Sequence, residues 1–115
     1  MHEFAIAQDI ASSLEKSLGN EFKKITTINI GIGTFSGIVS ESLTLGLETI
    51  FKINNINESI KINIKERECI AKCECGNMYK IKNIFDICPK CSSPVREIPE
   101  GMDIFVDSVE ISEEN

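Results

Sequence analysis

Four of the five cysteines crowd into one stretch, CECGNMYKIKNIFDICPKC, over residues 73–91. Cys73 and Cys75 make one pair and Cys88 and Cys91 another, with twelve residues between the pairs. A tetrahedral zinc ion bonded to four thiolates at ~2.3 Å holds its sulfurs ~3.8 Å apart. A C-x-x-C turn brings two sulfurs that close. A C-x-C pair does so too, because residues i and i+2 of an extended chain point the same way. Gly76 permits a sharp turn after Cys75, and Pro89 stiffens the second pair. The spacing therefore reads as a closed four-cysteine metal site, with Cys73, Cys75, Cys88 and Cys91 as ligands. Every coordination position is then taken by sulfur, which makes the ion structural and not catalytic. Sulfur ligands favour zinc but also suit iron, and CPKC occurs in rubredoxin-like electron carriers. A redox dithiol is the weaker reading, since that chemistry needs a single C-x-x-C. Cys69, four residues upstream, reads as a small apolar filler, with a substitute ligand as the alternative.

The second cluster of donor atoms lies at the start, Met1-His2-Glu3. His2 is the single histidine of 115 residues. A bulky second residue prevents removal of Met1, so its amine is expected to stay free. That amine, the His2 backbone nitrogen and His2 Nδ1 can close two fused chelate rings on one cation. The amide nitrogen of Glu3, or its carboxylate, can complete a plane of four donors. Cu(II) and Ni(II) drive such amide deprotonation, and planar nitrogen-rich sites suit both. No pocket is needed, as befits a metal that must be released. The partial positive charge at the start of a following helix opposes the cation, and Glu3 would offset it.

Composition narrows the classes. The net charge is −6 and the pI about 4.8, which argues against a nucleic-acid binder. The charge is uneven: residues 61–99 hold eight basic and five acidic side chains, and residues 100–115 hold six acidic and no basic ones. A zinc ion with four thiolates, at about −2, would cancel most of the basic excess. That excess is the only support for a zinc-ribbon interaction or nucleic-acid module. No signal peptide or membrane span is visible, so the cysteines are expected in a reducing cytoplasm. No nucleophile–base pair, phosphate loop or catalytic carboxylate pair stands out, which points away from an enzyme.

Helix, strand, helix, strand, cysteine module and strand must position these groups. Residues 4–18 place Phe4, Ala7, Ile10, Ala11, Leu14 and Leu18 on one helical face, with Gly19-Asn20 as the stop. Ile28, Ile30 and Ile32 alternate as in a strand. Ser40 is placed to cap a second helix whose stripe is Leu43, Leu47, Ile50 and Phe51. Gly46 within that helix costs roughly 1 kcal/mol against alanine. Ile60, Ile62 and Ile64 alternate with Lys61, Asn63 and Lys65, and MDIFVDSVEI is a closing strand. The final strand needs a sheet to join, so the cysteine module is an insertion and not a tail. The expected class is α+β: a short antiparallel or mixed sheet covered on one face by two helices, with an inserted zinc-ribbon-like domain.

The start MHE, the strand INIGIGTFSGI, the helix SESLTLGLE, the paired cysteines with CPKC and the closing GMDIFVDSVEI occur in one order. In that order the chain resembles the HypA/HybF family of nickel metallochaperones over essentially its whole length. The resemblance implies a nickel-binding α/β domain of residues 1–68 plus 100–115 and an inserted zinc-binding domain of residues 69–99. It implies that Ni(II) is a transient cargo bound by His2 with the Met1 amine and Glu3 beside it, and that Zn(II) is structural. It implies insertion of nickel into [NiFe]-hydrogenase and, in some organisms, urease. The implied partners are a HypB-type GTPase, the hydrogenase large-subunit precursor and urease accessory proteins, with no nucleic acid or membrane, for a monomer or weak homodimer. The first cysteine pair is one residue shorter than the family's usual C-x-x-C. With no other histidine, no imidazole from the zinc domain can complete the nickel site.

Overall fold

A computed structural model describes residues 3–54, 56, 59–83, 85–95, 97–100 and 103–113. Met1 and His2, two of the expected nickel ligands, lie outside these residues. The chain divides into two compact units. One comprises Met1–Ile30, Ile38–Lys65 and Val106–Asn115; the other comprises Gly31–Gly37 and Glu66–Phe105.

In the first unit, helix α1 spans Glu3–Leu18, one residue earlier than the periodicity suggests. It stops at Gly19, whose φ of 58° is left-handed, as a glycine after a helix commonly is. A 3₁₀ segment, Gly19–Lys24, follows and buries Phe22. The Phe22 ring lies 5.4 Å from that of Phe51 on α2, Ser40–Ile53. Helix α2 buries Leu43, Gly46, Leu47 and Phe51, the i, i+3, i+4, i+8 stripe of an amphipathic helix. Gly46 earns its place at the crossing with α1. A Cβ there would stand 3.2 Å from the Ala7 Cβ and 3.6 Å from the Phe4 Cα.

The start of α2 corrects the sequence reading. Ser40 is the first helical residue, and the N-cap is Val39, which offers no side-chain cap. The Val39 N–H instead donates to Glu3 Oε2 at 3.1 Å. Glu3 thus does from α1 what the N3 glutamate of a capping box does within one helix.

Strand β1, Ile25–Gly33, is central in a sheet of order β2-β1-β6, with β2 at Lys61–Arg67 and β6 at Ile104–Ile111. Along β1 and β6 the bonds Ser112 N to Lys24 O, Thr26 Oγ1 to Glu110 O and Asn29 Nδ2 to Ser108 Oγ advance in opposite directions, so the pair is antiparallel. Asn63 donates to Asn29 and Thr34 donates to Arg67, so β2 advances with β1 and is parallel to it, with α2 as the crossover. The sheet is therefore mixed. Ile28 and Ile30 are buried beside the helical layer, while the chain of Asn63, Asn29 and Ser108 runs across the opposite face. Two helices over one face of a short mixed sheet is the α+β arrangement the periodicities imply.

The second unit contains three strands that hydrophobic periodicity does not reveal: β3 Cys69–Lys72, β4 Met78–Ile81 and β5 Glu97–Glu100, in the order β4-β3-β5. Each has four residues, too few to show a period of two. Strands β3 and β4 form a hairpin, with Cys69 opposite Ile81 and Lys72 opposite Met78. Its small core is Cys69, Ala71 and Ile81, flanked by Phe35, Tyr79, Val95 and Ile98.

Candidate metal centre

The hairpin turn of β3 and β4 is the first cysteine knuckle. Cys73 N–H donates to Asn77 O at 3.0 Å and Gly76 N–H to Cys73 O at 2.9 Å. Gly76 has a φ of 90°, open to glycine and costly for other residues. The second knuckle closes through Ser92 N–H to Cys88 O at 2.8 Å and Cys88 N–H to Ser93 O at 2.9 Å. Ile87 bridges Pro94 behind it.

These bonds account for the short first pair. The C-x-x-C knuckle closes onto the residue four positions after its first cysteine, and the C-x-C knuckle closes onto the residue three positions after. One residue fewer between the cysteines is matched by a turn one residue tighter. In both knuckles the residue following the second cysteine is left-handed: Gly76 in the first and Ser92, with φ 62°, in the second. No ligand from Cys69 is required. Cys69 is fully buried in the core of this unit, as an apolar filler would be.

The four sulfurs of Cys73, Cys75, Cys88 and Cys91 all lie within 4.8 Å of one another. Cys73 and Cys91 are 3.1 Å apart and Cys75 and Cys88 3.8 Å. These separations bracket the ~3.8 Å edge of a zinc–thiolate tetrahedron. The first cysteine of each pair is buried and the second exposed. Asn77 Nδ2 donates to the Cys88 sulfur at 3.6 Å, and Ser93 Oγ lies 3.3 Å from that of Cys91. Spacing alone does not single out Asn77 or Ser93, yet each adjoins a cysteine turn, where metal-bound thiolates find their outer donors.

The electrostatics fit a cation. Burial opposes the Cys88 thiolate, but the amides of Cys91 and Lys90 and the Asn77 side chain outweigh it and bring its pKa down to about 6. The Ser93 hydroxyl, then Cys73, lowers that of Cys91. At Cys73 the Cys75 amide favours the thiolate. Cys91, burial and the other sulfurs prevail over it and push the pKa up to about 12. Four thiolates this close repel one another, and a divalent soft cation removes that cost. Four sulfurs, amide donors and converging turns fit such an ion, and Cys73, Cys75, Cys88 and Cys91 would hold it.

The amino-terminal cluster is described only at Glu3. Its side chain is 7% exposed and its carboxylate faces Val39. Among the described residues, no helix is long and apolar enough to cross a membrane.

Comparison with known proteins agrees with this architecture. The chain is similar to the hydrogenase maturation factor HypA of Francisella philomiragia, 31% identical over 110 residues, covering 95% of this chain and 97% of that protein. It is 29% identical over 113 residues to HypA of Aquifex aeolicus, covering 96% and 97%. Its fold is that of the solution structure of the nickel metallochaperone HypA from Helicobacter pylori. The TM-score is 0.72 and the identity 22%, over 99% of this chain and 100% of that one. Residues 1–111 match the family model described as hydrogenase/urease nickel incorporation, metallochaperone, HypA. The family match runs from the amino-terminal MHE through both knuckles to the end of β6, and by it and these relatives the chain belongs to the HypA family of metallochaperones and maturation factors, which are not enzymes.

Proposed function

We propose that the protein binds Ni(II) at its amino terminus and hands it to a [NiFe]-hydrogenase, while a zinc ion held by Cys73, Cys75, Cys88 and Cys91 scaffolds the second unit. One observation carries the reading: the four clustered sulfurs form a closed set, so they leave no place for a releasable cargo. Cys69 is buried in an apolar core, and the chain's only histidine is His2. Nitrogen donors suited to Ni(II) are therefore sought where the sequence sets them side by side, at the Met1 amine, the His2 amide and His2 Nδ1. The Glu3 backbone nitrogen or its carboxylate would complete a plane of four donors; the hydrogen bond from Val39 to Oε2 favours the backbone nitrogen.

The chain's own residues would work as follows. Met1, His2 and Glu3 supply a chelate without a cavity, from which an acceptor site can take the ion by ligand exchange. The thiolate-bound ion would tie the two knuckles together and so keep the β3–β4 hairpin in shape for docking. Residues 1–68 plus 100–115 then act as the nickel-binding domain and residues 69–99 as the zinc-binding domain. A HypB-type GTPase and the hydrogenase large-subunit precursor are the partners, in a reducing cytoplasm. Urease accessory proteins are the alternative clients.

The test is nickel titration of zinc-loaded protein with an authentic amino terminus, beside His2→Ala and an amino-acetylated sample. Stoichiometric binding is expected in the first and loss in the other two, with zinc content and circular dichroism unchanged. Undiminished affinity in His2→Ala overturns the assignment. A red, iron-containing preparation would replace zinc with a rubredoxin-like centre.

A further inference from the structure

Among the described residues, the buried carboxylate of Glu3 is the charged group that links the start of α1 to the start of α2. It follows directly on Met1 and His2, is 7% exposed, and accepts the Val39 N–H at 3.1 Å. Val39 has no side chain able to cap α2, and its carbonyl accepts the first helical bond, from Leu43 N–H at 3.0 Å. One turn further along, Gly46 brings α2 against Phe4 and Ala7. The first turn of α1 is thus held at two points: a charged hydrogen bond at Glu3 and close packing at Phe4 and Ala7. A carboxylate accepting a backbone N–H is a strong, directional tie.

We propose that Glu3 is a positioning residue: its carboxylate clamps the first turn of α1 to the N-cap of α2 and thereby fixes where the amino-terminal donors converge. The inference rests on the nickel assignment above and specifies how this chain holds that site. Any chelate by neighbouring donors costs the conformational freedom of the residues that carry them. A clamp one residue away reduces that loss, as outer partners of metal ligands do. In this role Oε2 accepts from Val39 and need not bind the ion itself. The same bond couples the cargo end to α2, so loading slows exchange of the Leu43 amide.

Four variants test it: Glu3→Ala, Glu3→Gln, Val39→Pro and the double Glu3→Ala/Val39→Pro. Val39→Pro removes the N–H donor at a φ of −88°, near the proline range. Nickel affinity by titration and hydrogen exchange of the Leu43 amide are read together, with zinc content reporting intact folding. Glu3→Ala and Val39→Pro should each weaken nickel binding by roughly 10-fold or more and speed Leu43 exchange. The double variant should be no weaker than either single one. Glu3→Gln, whose amide oxygen still accepts from Val39, should regain most of the loss. Wild-type affinity in Val39→Pro overturns the clamp, as does a Glu3→Gln variant as weak as Glu3→Ala. If wild-type protein with its native terminus takes up no nickel, the proposed function fails instead. The clamp between helices is then still read by Leu43 exchange, which Glu3→Ala and Val39→Pro must accelerate for it to stand.

Discussion

Gly46 offers a direct measure of how closely the two helices must approach. In a free helix, Gly46→Ala would add about 1 kcal/mol of stability through propensity. Here the new methyl would meet the Ala7 Cβ at 3.2 Å, and the Phe4 Cα and Cδ1 at 3.6 Å. Favourable carbon contacts lie at ~3.5–4.0 Å. Ala7 has no torsion with which to retreat, and Ala7 is 0% exposed, so the helices must part. Overpacking of this kind costs about 1–3 kcal/mol. Set against the propensity gain, Gly46→Ala should lower stability by about 1 kcal/mol. Gly46→Val, with a branched side chain in the same space, should lose more than about 2 kcal/mol. Urea denaturation of the zinc-loaded protein measures both. The decisive comparison is the cycle with Ala7→Gly, which removes the opposing methyl. A favourable coupling of about 1 kcal/mol or more between Ala7→Gly and Gly46→Ala is expected. If Gly46→Ala instead stabilises by the full propensity difference and the cycle shows no coupling, the helices do not meet at this point. Close approach would then not be why α2 holds a glycine.

Two further outcomes follow from the second unit. Cys69→Ser should leave the zinc content intact while lowering stability by about 1–3 kcal/mol, because a hydroxyl enters an apolar core; Cys73→Ser should instead lose the metal, and metal analysis beside thermal denaturation separates them. Ser92→Gly should relieve the left-handed backbone at φ 62° and raise the melting temperature by roughly 2–4 °C, whereas Ser92→Val should weaken zinc retention against a chelator.

The clustering of the four cysteines was legible in the sequence because it depends on short spacings. Cys73, Cys75, Cys88 and Cys91 each lie within a turn of their neighbour, and a turn's reach is set by covalent geometry whatever surrounds it. The same holds for α1 and α2, whose apolar stripes need only local periodicity, and for β1, whose isoleucines alternate. What depended on residues distant in the chain was not legible. Strands β3, β4 and β5 are each four residues long and exist because they pair with one another and flank the knuckles. Ser40 looks like a cap by type, yet α2 receives its cap from Glu3, 36 positions away. Gly46 looks like a defect in a helix until Ala7 is placed against it. Local sequence determined which groups could bind metal and which segments could be helical. Tertiary structure alone decided which carboxylate caps α2 and how close the helices come. Those outcomes are set by contacts between segments, where side-chain volume and unpaired backbone donors must be satisfied together.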